Sequence, residues 1–420
     1  MFEDARGTLQ AIGDRLGASQ CTECLGNVLS MRNQYEEAAV KFEEARATFQ
    51  AIEYGLGTAQ CTLRLGDVLL MQNHYEEAAV RFEEARGMFE SIGNRLGVAL
   101  CTRSLGDMLR MQDRNEEAAV RLEEAKAAFE VIGNRLGAAQ CTQSLGYMLL
   151  VQNYYEEATV RFEEARGTFE VIDSRLGAAQ CTECLGDVLQ MQNRYEEAIV
   201  MLEEARATFE AIGNRFGAAQ CNRSLGDILI TQNHHDEAAQ RLEEGTAAFQ
   251  AIGVRLGVAA CMLSLGHLFR QCHYKEAAHW LQEGRTRFET IGDCLRAAEC
   301  TRSLGDVLLM QNHYEEAAVR LEEARATFEA IGSRLGAAQC TRRMGDVLHM
   351  QNQYQEAAVA FEEAMGVFEA IGNRLGAARC MRSLGRVLLR QNHYEEAVVK
   401  LEEARATFEA IGHRLGAAQC

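Results

Sequence analysis

Apolar and small residues recur along the chain in two alternating helical stripes. Over residues 314–331 they fall at Tyr314, Ala317, Leu321, Ala324, Phe328 and Ile331, three or four apart throughout. That spacing predicts an amphipathic helix, helix B, with a stripe suited to packing on another helix. A second run, from about Arg334 through Leu335, Cys340, Met344, Val347 and Leu348, predicts another, helix A. The pair repeats from end to end, and residues 298–337 serve as the reference unit. Its leading cysteine returns at Cys21, Cys61, Cys101, Cys141, Cys181, Cys221, Cys261, Cys300, Cys340, Cys380 and Cys420, every 40 residues except the 39 from Cys261 to Cys300. A fixed period of this length is the signature of stacked supersecondary units.

The joints carry matching signals. Asn312 stands three residues before Glu315, which predicts a capping box ahead of helix B. Gly332 follows the last periodic residue and suits a left-handed helix stop. Ser333, with Asn94, Asn134, Asn214, Asp293 and Asn373 at the same place, predicts an N-cap for each following helix A. Glu316 and Arg320 are spaced for an ion pair across one turn. Gly305 recurs in all ten units in mid-helix, where glycine is unfavourable, so it marks a close helix contact; Ala317 and Ala324 permit the same. Ordering a backbone costs about 1–2 kcal/mol per residue. One hairpin buries too little to offset this, so stability must come from stacking on neighbours.

Counting from the unit boundary, residues 1–18 are a partial repeat containing only a second helix. Residues 19–258 are six hairpins, 259–297 an irregular seventh, 298–417 three more, and 418–420 the start of a truncated repeat. Neither end shows a polar capping helix, which points to a piece of a longer protein or to ends covered by a partner. The seventh unit lacks one residue near Arg270, has Gly284 at the alanine place and Arg296 at a glycine place, and holds the only tryptophan, Trp280. Neutral drift and a hinge between the flanking blocks both fit this departure.

Composition narrows the function classes. The 420 residues are 47% hydrophobic and contain no proline, as expected for helices joined by short Gly/Asn turns. The net charge of −18 argues against nucleic acid or an anionic membrane as the main ligand. No apolar run approaches the roughly 20 residues that span a bilayer. The 15 cysteines sit mostly at one inward-facing helix A position, which predicts core residues in a reducing, cytoplasmic setting rather than a disulfide framework. Cys21/Cys24 and Cys181/Cys184 lie within one helix each and lack a second pair at zinc spacing. His234, His235, His273 and His279 lack companion ligands and read as surface residues. Phosphate-loop, dinucleotide, zinc-protease and serine-hydrolase strings are missing, so no enzymatic chemistry, cofactor or metal is expected.

Leu304 and Gly305 in helix A, followed by Tyr314, Ala317, Leu321 and Ala324, resemble the core pattern of the tetratricopeptide repeat. Thr301 stands where that pattern has an aromatic, and its proline is absent. The longer unit with its I-G-(D/N)-R-x-G joint is similar to the 40-residue subtype of Pins-type adaptors and of arrays attached to STAND-class NTPases. The resemblance covers the whole chain. It implies an all-α fold, a right-handed superhelical solenoid of antiparallel helix hairpins, with a concave groove lined by helix A in which peptides lie. By position, that groove would be built from a Gln row (Gln20, Gln60, Gln140, Gln180, Gln220, Gln339), from arginines at Arg103, Arg223, Arg302, Arg342 and Arg382, and from aspartates at Asp67, Asp107, Asp187, Asp227, Asp306 and Asp346. A methionine row would complete it, at Met31, Met71, Met111, Met191, Met310 and Met350. The aspartates stand where the carboxylate-clamp subgroup has Lys and Asn, and would repel a terminal carboxylate.

Arg302 and Asp306 are four apart, so such pairs either close on themselves or open to meet a polar peptide. The methionines are spaced for a helix core, yet their adaptable side chains suit a binding surface. Arg379, Arg382, Arg386 and Arg390 share one face of the tenth helix A and could receive an acidic or phosphorylated peptide through bidentate hydrogen bonds. The expectation is a scaffold or adaptor that binds a protein or peptide in the groove and carries no chemistry of its own. The alternatives are the C-terminal sensor array of a larger STAND-type NTPase, and a structural solenoid that self-associates through uncapped ends.

Overall fold

The computed structural model describes residues 2–32, 34–72, 74–112, 114–270, 273–410 and 414–420. Among them every regular element is a helix. The first compact unit, Met1–Ile212, contains α1 (Phe2–Ala11), α2 (Arg15–Met31), α3 (Tyr35–Ala51), α4 (Gly55–Met71), α5 (Tyr75–Ser91), α6 (Arg95–Met111), α7 (Asn115–Val131), α8 (Arg135–Val151), α9 (Tyr155–Val171), α10 (Arg175–Met191) and α11 (Tyr195–Ala211). The second, Gly213–Cys420, contains α12 (Arg215–Thr231), α13 (His235–Ala251), α14 (Arg255–Phe269), α15 (Tyr274–Ile291), α16 (Cys294–Met310), α17 (Tyr314–Ala330), α18 (Arg334–Met350), α19 (Tyr354–Ala370), α20 (Arg374–Arg390), α21 (Tyr394–Ala410) and α22 (Arg414–Ala418). Even-numbered helices are the A helices and odd-numbered ones the B helices. Within each unit every A helix packs on the B helix that follows, and every B helix on the next A helix. The result is an all-α solenoid.

The middle of the stripe read from the sequence is buried, whereas Ile331 and Leu335, which flank the joint, are exposed. Ala317, Leu321, Ala324 and Phe328 of α17 are almost wholly excluded from solvent. Gly305 is needed because a Cβ there would lie 2.8 Å from Leu321 Cγ. Gly336 is more tightly held: its Cβ would sit 2.3 Å from the Phe328 ring. Thr301, in place of an aromatic, is buried and returns its hydroxyl to the Ala297 carbonyl at 3.0 Å. The cysteines from Cys61 to Cys380 that head each unit are buried, and burial pushes thiols such as Cys61 and Cys380 up to about 12. A thiol so far from ionising is packing material.

The joints depart from expectation in two places. Asn312 is not an N-cap. It takes the left-handed conformation, φ 63°, and accepts a hydrogen bond from the Tyr314 hydroxyl at 2.8 Å, while His313 precedes α17 without a side-chain cap. Asparagine tolerates φ > 0, so it serves as the turn residue itself. Arg320 pairs with Glu323 at 2.9 Å rather than with Glu316. The other joint behaves as read: Gly332 has φ 75°, and Asn94, Asn134, Asn214, Asn373 and Ser333 each accept from a backbone N–H at the start of the next helix A.

The irregular unit shows a local consequence of its missing residue. Helix α14 has 15 residues where its neighbours have 17. Gln271 and Cys272, just past the gap, lie outside the described residues. Trp280 occupies a place held elsewhere by arginine and packs over Val258, Met262 and Leu265. Gly284 is buried where alanine normally stands. Arg296 is exposed, with its guanidinium 2.9 Å from Asp293.

Candidate functional site

Within each unit, successive A helices touch one another: α2 meets α4, and so on to α10; α12 meets α14, and so on to α20. Successive B helices are bridged by long ion pairs such as Arg6–Glu44 (3.1 Å) and Lys126–Glu164 (2.7 Å) in the first unit and Arg285–Glu323 (2.7 Å) in the second. The exposed face of the A helices is therefore a shared surface, and it carries the predicted groove residues.

The aspartate row is largely consumed by stacking. Asp107 accepts from Ser144 of the next A helix at 2.7 Å. Ser104 and Ser264 bond Asp67 and Asp227 in the same way. His267 replaces the aspartate in α14 and its Nε2 lies 3.1 Å from Ser303 Oγ. Burial, with the guanidiniums of Arg270 and Arg302 nearby, pushes His267 down to about 4. The arginine row splits. Arg223 and Arg342 pair within their helices, with Asp227 at 3.0 Å and Asp346 at 3.1 Å. Arg103 instead donates to Gln140 of the next A helix, leaving Asp107 beside Arg110 at 3.8 Å. Arg382 likewise donates to Gln419, and its guanidinium lies 5.6 Å from the centre of the Phe408 ring. The expected Arg/Asp ladder is thus partly self-closed and partly a tie between hairpins.

One aspartate is different. Asp306 is 2% exposed and meets three guanidiniums: Arg302 of its own α16 at 3.5 Å, Arg270 just past the end of α14 at 3.4 Å and Arg343 of α18 at 2.9 Å. Arg343 also reaches Asp346 at 3.2 Å. Sequence reasoning missed Arg270 and Arg343. The available signal was that Arg343 replaces a serine that most units keep at that position, and that serine normally meets the preceding aspartate.

The tenth A helix reverses the pattern. Arg386 stands at the aspartate place and Arg390 at the methionine place. Among the described residues, Arg379, Arg386 and Arg390 form no ion pair and are exposed. Partial desolvation of its stem by the neighbouring helices, and then the guanidiniums of Arg342, Arg343 and Arg382, lower the pKa of Arg379. His349 of α18 is also held below its ordinary value, by burial and by Arg386 and Arg390; its Nε2 has no hydrogen-bond partner. The face of α18 and α20 is therefore a strip of converging cations with few carboxylates.

The methionine row lies at the surface. Met31, Met71, Met111, Met191, Met310 and Met350 are between 41% and 85% exposed, which overturns a core reading. Each ends its A helix, so its side chain projects past the contact with helix B. Among the described residues no three His, Cys, Asp or Glu converge as a metal site, and no helix is long and apolar enough to cross a membrane.

Comparison with known proteins agrees with this geometry. The family model of the tetratricopeptide repeat matches residues 18–91, 178–251 and 332–410. That of the soluble NSF attachment protein, SNAP, matches 226–367. No protein of curated function matches the chain in sequence. Among solved structures, a Rap protein complexed with competence and sporulation factor overlays with a TM-score of 0.60 at 14% identity, covering 87% of this chain and 100% of that one. Aspartyl phosphate phosphatase F from Bacillus subtilis gives 0.57 at 13% identity, covering 78% and 93%. A STAND protein with a tetratricopeptide repeat sensor from Pyrococcus horikoshii gives 0.58 at 14% identity, covering 86% and 55%. At these identities the likeness is one of fold.

Proposed function

Because the chain belongs to the tetratricopeptide repeat family, we propose that it is a protein-interaction scaffold, without chemistry of its own, that binds an acidic or phosphorylated peptide on the A-helix face of its last repeats. The observation that carries this reading is the cation strip on α20, where Arg379, Arg386 and Arg390 are exposed and form no ion pair among the described residues. Elsewhere on the A face the polar residues named above are mostly tied to their own or a neighbouring hairpin, which leaves little for a ligand. At α20 the carboxylate that would neutralise the strip is replaced by Arg386. Exposed guanidiniums at one helical turn's spacing offer paired donors to carboxylates or phosphates. Met310 and Met350, exposed on α16 and α18, supply adaptable apolar contacts beside them. Arg302, Arg342, Asp306 and Asp346 then act as the strip's framework rather than as its first contacts. Arg103, Asp107, Arg223 and Asp227 fall outside the binding strip.

The test is fluorescence anisotropy with a labelled acidic phosphoserine peptide and the intact chain. The double variant Arg386→Ala/Arg390→Ala should lose most of the affinity while keeping its helical content, because neither side chain forms an ion pair among the described residues. Equal binding by the variant and the parent would remove this site.

A further inference from the structure

The B-helix side of the first unit carries a second, independent feature. Cations there reach from one B helix to carboxylates of the one before. Arg81 Nη2 lies 3.6 Å from Glu43, and Arg161 Nη2 lies 2.9 Å from Glu123. Forty residues beyond Arg161 the chain has Met201, and forty beyond Glu123 it has Glu163. The repeat's own pair is thus broken between α9 and α11, and Glu163 makes no ion pair or hydrogen bond among the described residues.

Two other B helices in the second unit lack the cation and differ from this one. In α15 the bulk of Trp280 takes the place. In α19 the residue is Ala360, and Glu322 of α17 is held instead by Arg325 of its own helix at 3.0 and 2.6 Å. Between α9, α10 and α11 the place stays open, as a cavity of about 390 Å³. Leu185, Leu189, Val200 and Met201 give it apolar walls, and Glu163 stands at its edge. Arg166 and Arg194 also line it, but both are engaged: Arg166 lies 3.7 Å from Glu170, and Arg194 is bidentate on Glu197 at 2.7 and 2.5 Å. Of the two carboxylates that line it, Glu197 is paired with Arg194, and the exposed Glu163 forms no ion pair among the described residues.

We propose that this cavity is a docking site for an arginine side chain of a partner protein, inserted where Arg161 sits in the preceding repeat and Arg81 in an earlier one, with an apolar residue beside it on the Met201–Leu189 wall. The protein itself shows how such a guanidinium is seated, since Arg161 makes the equivalent contact one repeat earlier. The guanidinium supplies the missing donor to Glu163. The chain's net charge of −18 is compatible with the approach of a basic segment. This site does not depend on the cation strip of α18 and α20, which lies in the other unit and takes ligands of opposite charge.

Isothermal titration and methionine-methyl NMR of the intact chain with the probe acetyl-Leu-Arg-amide test it. The probe should bind at millimolar concentration and shift the Met201 methyl, whereas the citrulline analogue should not. Glu163→Gln should weaken binding roughly 10-fold or more, as loss of a charge-assisted hydrogen bond does. Met201→Arg rebuilds the repeat's own pair in place, so it should abolish binding while leaving the unfolding midpoint unchanged or raised. Failure of the parent chain to bind the probe, or binding by Met201→Arg equal to the parent's, would overturn the proposal.

Discussion

The A-helix faces of the two units are built on the same repeat and carry different electrostatics. In the first unit the arginines Arg64, Arg103 and Arg110 are each matched by a neighbour: Arg64 by Asp67 at 3.1 Å, Arg110 by Asp107 at 3.8 Å, and Arg103 by Gln140. Glu23, Glu183 and Asp187 add carboxylates to that face. In the second unit Arg270, Arg302 and Arg343 converge on the carboxylate of Asp306, and Arg379, Arg386 and Arg390 face solvent without an ion pair among the described residues. A repeat therefore fixes the scaffold, while a few substitutions at its exposed positions decide whether the face closes on itself or remains open to a ligand.

The largest effect that would separate the two faces is the loss of a shared carboxylate. Asp306→Ala should destabilise the chain by about 3–5 kcal/mol, because it leaves converging guanidiniums without their buried counter-charge. Asp107→Ala in the first unit, which loses chiefly one serine hydrogen bond, should cost about 1 kcal/mol. Urea unfolding of the two variants measures the difference, and equal costs would break the comparison.

Next in size is ligand binding. Arg386→Ala/Arg390→Ala should reduce affinity for an acidic phosphopeptide roughly 100-fold, the loss expected for two charge-assisted contacts. Arg64→Ala, in the first unit, should leave the affinity unchanged in the same anisotropy assay. Raising the salt concentration should weaken the parent's binding and leave the residual binding of the double variant nearly flat.

His267 gives the second unit a pH dependence of its own near neutrality. Its folded pKa, about 4, lies below its unfolded value of 6.5. The unfolded chain therefore takes up a proton first as pH falls. The stabilisation is present in full above 6.5 and is lost between about 6.5 and 4. The slope integrates to at most about 3 kcal/mol. His267→Asn should flatten stability over that window in urea melts at pH 7.5 and 4.5; an unchanged slope would assign it to other groups.

The smallest expected effect is at the methionines. Met71→Ala and Met350→Ala should each change stability by less than about 0.5 kcal/mol, because both side chains are largely in solvent. Of the two, Met350→Ala alone should weaken peptide binding, by a few-fold, since it borders the cation strip. Matching losses for both would extend the binding face into the first unit.

The sequence by itself determined the period, the two helices of each unit, the buried stripe and the glycine joint, because helical spacing and close packing are local constraints repeated ten times over. Residues such as Phe328, Leu321 and Gly305 needed no structure to be placed in the core. The tertiary structure alone decided what the polar residues do. Asp107 and Ser144 are 37 residues apart, and nothing in helical spacing says that they meet. The same holds for Arg343 and Asp306, and for the space left beside Met201. Asn312 was misjudged for a similar reason: its cap-like spacing is compatible with either a helix start or a left-handed turn, and the backbone conformation settles which. The exposure of the methionines also depends on where each A helix ends against its partner, a relation between elements that a periodic pattern does not carry.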